Sequence, residues 1–178
     1  MAGMAAPTEY ILETQRLWLR KFCHRDLNDF ARLVGDPQVM RFIGPCLTSL
    51  DDAAKYLEEP LADYRRHGFG RWAVVLKDSQ LLIGFSGLKR LQELDGVDLG
   101  FGLMPEYWGR GLATEAGQAI MAYGFDTLEL NRIMGLVDPP NARSIRVLEK
   151  LHFTFEKSID FRGQPTLLYA AHKQRTGE

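Results

Sequence analysis

The sequence predicts a mixed α+β fold with a mainly antiparallel central sheet of about six or seven strands, flanked by about four helices. Three observations support this prediction. An alternating segment lies near the amino terminus, three extended segments follow one another in mid-chain, and strands then alternate with helices up to a closing hairpin. Because no repeat or linker interrupts this order, residues 1–178 are expected to form one domain, with a flexible start over about residues 1–9 and a tail over about residues 173–178.

The first part of the chain predicts one strand and one helix. Apolar and polar residues alternate over residues 10–20, which is the period of a single half-buried strand. Asp26 is expected to cap the helix that follows, and apolar side chains over residues 30–34 supply its buried stripe. Residues 42–45 contain Gly and Pro and predict a turn between this helix and the next.

A second helix and three strands are expected next. Ser49 begins the helix, in a box-like pattern with Asp at the third helical position, and Gly68 ends it. Three extended segments follow over residues 71–77, 81–91 and 97–104, and short polar turns join them. Their spacing predicts an antiparallel meander.

The last part of the chain alternates between helices and strands. A helix over about residues 110–127 is followed by a strand over residues 132–137, which ends at an Asp-Pro-Pro sequence. Another helix is expected over about residues 142–151. Residues 153–161 and 166–171 then predict a closing hairpin.

Composition argues against several partners and compartments. The chain has 178 residues, 46% of them hydrophobic, and a formal net charge of -1, so it lacks the dense basic surface that nucleic-acid binding needs. No run is apolar enough for a secretion signal or a membrane span. Cys23 and Cys46 form neither a metal-binding nor a disulfide spacing. We expect a cytoplasmic protein without a metal, a nucleic-acid partner or a membrane partner.

A glycine-spaced loop opens into the helix predicted over residues 110–127. Gly109 and Gly111 carry no Cβ, so the backbone can approach a ligand closely. The amides of residues 109–114, which we call the glycine loop, lack partners at a helix start, where the helix dipole adds about half a positive charge. This loop therefore predicts an anion site, and a pyrophosphate is its natural occupant.

Two other nucleotide-binding patterns do not fit the glycine loop. A Walker sequence is absent from the chain. A dinucleotide fingerprint would open the domain and place an acidic residue after a second strand, whereas about a hundred residues precede this loop, and Asp126 and Glu129 follow at the end of its helix. A tight turn without a ligand stays open as an alternative.

Three ordered segments carry a resemblance to a known family. WGRGLATEA resembles the acetyl-CoA loop of the GCN5-related N-acetyltransferases (GNAT), in which Gln or Arg, then Gly, then Gly or Ala fill the slots held here by Trp108, Gly111 and Ala113. Trp in the first slot departs from the general pattern and is similar to the branch that acetylates the N-termini of ribosomal proteins (RimJ/RimL-like). NARSIRVLEKLHF and ILETQRLWLR resemble a late helix and the first strand of that branch.

The resemblance implies the GNAT fold and acetyl-CoA as cosubstrate, without a metal. In that fold the strand ending near Met104 and the strand near Val137 splay apart, and the pantetheine arm pairs with the strand backbone in the gap. The residues that the resemblance assigns to acetyl-CoA are Phe101, Leu103, Trp108, Gly109, Arg110, Gly111, Leu112, Ala113, Thr114, Asn141 and Ser144. For Phe101 and Leu103 the alternative is an ordinary strand role, and for Asn141 it is an N-cap role.

The resemblance also implies catalytic roles. The Leu103 amide would face the thioester oxygen and stabilise the developing oxyanion. Leu148 holds the slot of the family's usual acid, a Tyr, so Ser144 one turn earlier is expected to protonate the leaving thiolate, with water or an inert helix serine as alternatives. Asp98 lies where many members carry Glu and is expected to act as a base through water, with a solvated edge residue as the alternative.

The amine acceptor is predicted from the free energy of deprotonation. At pH 7 a Lys amine costs about 4.6 kcal/mol to deprotonate and an α-amine about 1.1 kcal/mol. Without an obvious strong base, the chain is expected to act on the N-terminal α-amine of a protein or peptide. Two alternatives stay open: acetylation of a small-molecule amine (antibiotic, polyamine or amino acid), and a noncatalytic module that binds acyl-CoA. A homodimer also stays open.

The acceptor surface is expected to come from three places in the chain. These are residues 42–45, Trp72 with Ser86 on the meander, and residues 161–163 in the closing hairpin. They are aromatic and small residues with few charges. Core packing is the alternative, and it is favoured for Trp72 and Phe42.

Overall fold

Eight strands form one mixed sheet in the computed structural model, which describes residues 10–174. The strands are β1 (Tyr10–Glu13), β2 (Leu17–Arg20), β3 (Arg71–Leu76), β4 (Leu82–Leu91), β5 (Gly96–Leu103), β6 (Arg132–Val137), β7 (Thr154–Phe161) and β8 (Gln164–His172). Their order across the sheet is β1-β2-β3-β4-β5-β6-β8-β7, and only β5 and β6 run parallel. The expected flexible start and most of the expected tail lie outside the described residues.

Five α-helices pack on this sheet within the described part of the chain. They are α1 (Leu27–Val34), α2 (Pro37–Met40), α3 (Leu50–His67), α4 (Leu112–Ala122) and α5 (Ala142–Lys150). The mixed α+β class and the mainly antiparallel sheet are therefore confirmed. None of these helices is long and apolar enough to cross a membrane.

The predicted first strand is divided into β1 and β2, and this is why the sheet has one strand more than expected. Thr14 closes a tight turn between them. Its amide donates to the Leu17 carbonyl at 2.9 Å, and its Oγ1 accepts from the Leu17 amide at 3.0 Å. The alternating pattern continues through this turn, and the turn contains neither Gly nor Pro, so the pattern alone could not reveal it.

Asp26 lies directly before α1, as predicted, but its carboxylate does not cap that helix. The Asp26 backbone is already helical and ends a short 3-10 turn, His24–Asp26. Its carboxylate instead accepts two hydrogen bonds of 2.7 Å from Arg20 and one of 2.9 Å from the Cys23 amide. Asp26 therefore ties the end of β2 to the start of the helical layer.

The predicted second helix, α3, has the expected signals at both ends. The Ser49 side chain accepts from the Asp52 amide at 3.0 Å, and Gly68 ends the helix in the left-handed region at φ 76°. The one-turn helix α2 was not predicted. Asp36 caps α2 by accepting from two of its amides, and Pro37 occupies its first position.

The later elements match their predicted bounds closely. β3, β4 and β5 form the predicted antiparallel meander, and β6 has the predicted bounds. The helix predicted from residue 110 begins at Leu112 and finishes in a π-helical turn, Tyr123–Thr127. The closing hairpin is β7 and β8, and β8 pairs with β6.

Helices cover both faces of the sheet. Trp72 on β3 contacts Tyr123, at the end of α4, with ring centroids 5.2 Å apart. Phe85 on β4 lies opposite Ala73, the next residue along β3, and lines the same small cavity as Phe30 on α1. Because successive strand side chains point to opposite faces, α4 packs on one face and α1 on the other.

Candidate active site

A cleft of about 960 Å³ opens between the loop before α4, the start of α5, the end of β5 and the segment that follows α2. It brings together most of the residues predicted to bind the cofactor. Those that line the cleft are Phe101, Leu103, Trp108, Gly109, Gly111, Leu112, Ala113, Thr114, Asn141 and Ser144. Two predicted site residues, Arg110 and Asp98, do not line it.

The glycine loop has the unpaired amides that the sequence predicts, and both of its glycines are left-handed. Gly109 and Gly111 lie in the left-handed region, at φ 73° and φ 74°. A Cβ at Gly109 would meet nothing within 4 Å, so the conformation, and not lack of space, requires glycine there. Within residues 10–174 no amide from 109 to 114 donates a hydrogen bond to the protein. A run of free N–H groups at a helix start is an arrangement that can bind an anion.

Trp108 fixes the start of the glycine loop. Its indole Nε1 donates to the Leu103 carbonyl at 2.7 Å, which ties the loop to the end of β5. The Arg143 guanidinium of α5 lies 4.5 Å from the centre of the Trp108 ring and makes a cation–π contact with it. Arg110, in contrast, directs its guanidinium over the Tyr107 ring.

β5 and β6 diverge beside the cleft. They pair in register only at Asp98 and Met134, near their amino-terminal ends. The Met104 amide donates to the Ile83 carbonyl on β4 at 2.8 Å. Because antiparallel hydrogen bonds alternate, the amides of Leu103 and Phe101 point away from β4 and into the gap. Trp108 already occupies the Leu103 carbonyl, so Leu103 offers only its N–H there.

The start of α5 supplies Asn141 and Ser144. The Asn141 side chain accepts from the Ser144 amide at 3.2 Å, so its N-cap role is present in the structure. The Ser144 side chain has no part in that cap and belongs to the cleft lining. Leu148, one turn later, is 2% exposed and packs over Gly135 of β6, where it has no proton to offer.

Asp98 is buried next to the divergence and is 5% exposed, so it is not a solvated edge residue. Its Oδ1 accepts from the Leu136 amide at 3.0 Å, and its Oδ2 accepts from Arg71 Nη2 at 3.2 Å. Burial raises the pKa of Asp98 above the usual value of aspartate, and the Arg71 charge and the Leu136 amide oppose that rise. Its role as a base acting through water stays a prediction.

Four cations line the cleft, and sequence analysis missed all of them. Arg143, Arg146 and Lys150 follow one another at helical spacings of three and four residues along α5, and Arg41 follows α2. Neither Asp nor Glu lies in the lining that the described residues form. The spacing on α5 was a readable signal, because residues three and four apart share one helix face.

The predicted acceptor surface is only partly present. Phe42 and Ile43 line the cleft, and the Ile43 side chain lies above Gly102 of β5. Trp72 is fully buried against Tyr123, so the core alternative is confirmed for this residue. Ser86 is fully buried, and residues 161–163 lie outside the cleft lining.

The polar residues of the described chain do not assemble a metal site. Among residues 10–174, no group of three or more His, Cys, Asp or Glu side chains is placed to hold a metal ion. Cys23 and Cys46 are both free thiols. The donors of the cleft are backbone amides and cationic side chains, which bind anions and not metal ions.

Comparison with known proteins gives a family. A model described as an acetyltransferase (GNAT) domain matches residues 16–154 of the chain. An uncharacterized N-acetyltransferase from Bacillus licheniformis is 32% identical over 149 residues, which cover 82% of this chain and 83% of that protein. The spermidine N(1)-acetyltransferase of Escherichia coli is 37% identical over 78 residues, or 42% of each protein.

Solved structures agree on the fold. An acetyltransferase from Agrobacterium tumefaciens superimposes with a TM-score of 0.81 at 25% identity, over 97% of this chain and 98% of that one. RimL, a ribosomal alpha-N-protein acetyltransferase solved in complex with coenzyme A, gives a TM-score of 0.80 at 18% identity, over 92% of this chain and 98% of that one. Since the family model spans most of the chain and includes the glycine loop, this protein belongs to the GNAT family of acetyltransferases.

Proposed function

We propose that the chain transfers the acetyl group of acetyl-CoA to the N-terminal α-amine of a protein or peptide, by direct attack in a ternary complex. One observation supports both halves of this proposal. As far as residues 10–174 go, the cleft presents free amides and four cations and contains no carboxylate. Such a lining attracts a polyanionic cosubstrate, and it offers no strong base for a highly protonated amine.

The donor set fits acetyl-CoA. The free amides of the glycine loop would hold the diphosphate, and Arg143, Arg146 and Lys150 would neutralise further phosphate charge along α5. Phe101 and Leu103 offer the backbone amides of β5 to the pantetheine arm. When bound, acetyl-CoA supplies an activated acetyl group on a thiol of low basicity.

The chain's own residues would complete the transfer. The Leu103 N–H lies free in the gap and would stabilise negative charge on the acetyl oxygen. The neutral amine nitrogen would bond to the acetyl carbon while the carbon–sulfur bond breaks. The Ser144 hydroxyl would give its proton to the departing thiolate and regain one from that nitrogen, directly or through water. A thiol of pKa about 8.5 is a good leaving group, so a weak donor is enough.

The similarity to spermidine N(1)-acetyltransferase favours a second candidate, a polyamine acceptor. A polyamine carries several positive charges at neutral pH and would need acidic side chains at the acceptor end of the cleft. Arg41 lies there instead, beside Phe42 and Ile43. Like charges repel, so we favour the peptide α-amine.

We expect kcat/KM at pH 7 to be more than about a hundredfold higher for a peptide with a free N-terminus and no Lys than for an N-acetylated peptide with one free Lys. The reason is that the neutral fraction of an α-amine exceeds that of a Lys amine by at least this factor. Thiol release from acetyl-CoA measures both rates, with spermidine as a third acceptor. Faster turnover of the Lys peptide or of spermidine would replace the proposed acceptor. A chain that binds coenzyme A but releases no thiol with any amine would be a binding module.

Ser144→Ala should lower turnover by about tenfold and leave coenzyme A affinity nearly unchanged. The change removes the hydroxyl but keeps the Ser144 amide, so the cap from Asn141 survives. Ser158→Ala, on the exposed strand β7, is the matched control. Steady-state kinetics and calorimetry provide the two readouts, and unchanged turnover in Ser144→Ala removes this residue from the mechanism.

A further inference from the structure

The turn between β1 and β2 is hydrogen-bonded to the first turn of α4. Glu115, in that helical turn, accepts three hydrogen bonds from the hairpin. The Thr14 hydroxyl donates at 2.6 Å, the Arg16 amide at 2.8 Å and Arg16 Nε at 2.6 Å. The Glu115 side chain is 17% exposed and the Arg16 side chain 44% exposed, so the carboxylate is partly shielded from solvent while the guanidinium stays half exposed.

The other edge of Arg16 reaches the glycine loop. Arg16 Nη1 donates to the Arg110 carbonyl at 3.0 Å, and Nη2 lies 3.7 Å from the point where a Cβ on Gly111 would stand. Neither Arg16 nor Glu115 lines the cleft. The guanidinium therefore supports the loop from behind, on the side away from the cleft.

The hydrogen bond from Arg16 to the Arg110 carbonyl also sets the direction of the Gly111 N–H. The Arg110 carbonyl and the Gly111 N–H belong to one planar trans peptide, so they point in opposite directions. When Arg16 holds the carbonyl from behind, the Gly111 N–H is aimed into the cleft. Gly109 and Gly111 are both left-handed, and glycine has the largest conformational freedom to lose. A contact from outside the loop that selects one conformation therefore has a large effect on how well ordered this loop is.

We propose that Arg16, held by Glu115, which Thr14 in turn holds, is a positioning residue that orients the glycine loop for the acetyl-CoA diphosphate. This inference rests on the proposed function, because it assumes that the diphosphate binds at the glycine loop. It also gives a common role to two segments far apart in sequence, the start of the chain and the first turn of α4. Glu115 contributes by holding the Arg16 guanidinium in place. Burial alone would raise the pKa of Glu115, but the hydrogen bonds from Thr14 and Arg16 lower it, so the carboxylate stays charged.

The test compares Arg16→Gln with the wild-type chain in three measurements. Calorimetry with coenzyme A should show affinity reduced by about tenfold, the scale of losing one hydrogen bond to a charged group. Kinetics should show a raised KM for acetyl-CoA with kcat at saturation unchanged. Nitrogen relaxation of the free protein should show the Gly111 amide order parameter falling from about 0.85 toward about 0.6.

Two further variants make the test specific. Glu13→Gln removes the Lys77 ion pair on the same hairpin without touching the glycine loop, and it should match the wild type in all three measurements. Glu115→Gln keeps acceptors for Thr14 and the Arg16 amide but loses the charge that holds Nε, so it should weaken coenzyme A binding by a smaller factor than Arg16→Gln.

The outcomes separate this inference from the proposed function. If the wild-type chain does not bind coenzyme A, the proposed function is wrong. If the wild type binds and Arg16→Gln binds equally well, or binds more weakly with an unchanged Gly111 order parameter, the positioning role is wrong. A parallel fall of kcat and affinity, with a lowered melting temperature, would reveal general damage to the fold and would also overturn it.

Discussion

Gly111→Glu is expected to weaken coenzyme A binding by more than about a hundredfold, which corresponds to about 2.7 kcal/mol. Two effects add up in this variant. Gly111 has a φ of 74°, and a residue with a Cβ pays about 1–2 kcal/mol to adopt that conformation. The new side chain would also start next to Arg16, because a Cβ on Gly111 lies 3.7 Å from Arg16 Nη2, so its carboxylate would pair with that guanidinium and draw it away from the Arg110 carbonyl.

Two control variants separate strain from charge. Gly163→Glu introduces the same side chain at a φ of 78°, in the turn between β7 and β8 and outside the cleft lining, so it should leave coenzyme A affinity unchanged. Gly111→Ala adds strain without charge and should fall between the wild type and Gly111→Glu. Calorimetry on the three variants gives the comparison. Normal coenzyme A binding by Gly111→Glu would mean that the diphosphate lies elsewhere.

The elements that sequence predicted well are those with chemical signals at both ends. Ser49 and Gly68 bound α3, and the Asp-Pro-Pro sequence after Val137 ends β6. The turn at Thr14 was missed because a hydroxyl, and no Gly or Pro, closes it inside an uninterrupted alternating pattern. For α2 the signal was present, since Asp36 followed by a proline is a helix start, but a one-turn helix has no apolar period to support it.

The candidate site was predictable where backbone conformation decides it and unpredictable where tertiary packing does. Glycine spacing before a helix start located the glycine loop, and the structure shows that both glycines have φ values that only glycine adopts without strain. Arg110 has the loop's sequence position, but its direction depends on Tyr107 and was not readable. The burial of Asp98 was also hidden: helices cover both faces of the meander, so a polar residue in β5 does not mark a solvent face.

Asp98 lies where β5 and β6 separate, and its carboxylate accepts a hydrogen bond from a β6 amide that no longer reaches the β5 backbone. The two strands pair at Asp98 and Met134. Two residues farther along β6 the Leu136 amide turns to Asp98 Oδ1, so that buried N–H stays satisfied while the gap opens. The second oxygen accepts from Arg71 Nη2 and balances the charge of that guanidinium, while Arg71 Nε is buried without a hydrogen-bond partner among the described residues. Asp98 therefore stabilises the divergence that exposes the Leu103 amide.

We expect Asp98→Ala to lower the free energy of unfolding by about 3 kcal/mol, the low end for breaking a buried ion pair, because 26% of the Arg71 side chain is exposed. Asp98→Asn should cost about 1–2 kcal/mol, since its carbonyl still accepts from Leu136. Urea unfolding of both variants measures these losses, and equal stability of Asp98→Ala and the wild type would contradict the role in holding the divergence. The folded Asp98→Asn variant also tests the chemistry, because it keeps the shape and loses the base. If its kcat stays within about threefold of the wild-type value, far less than the effect of removing a general base, Asp98 supports the gap and takes no proton from the amine.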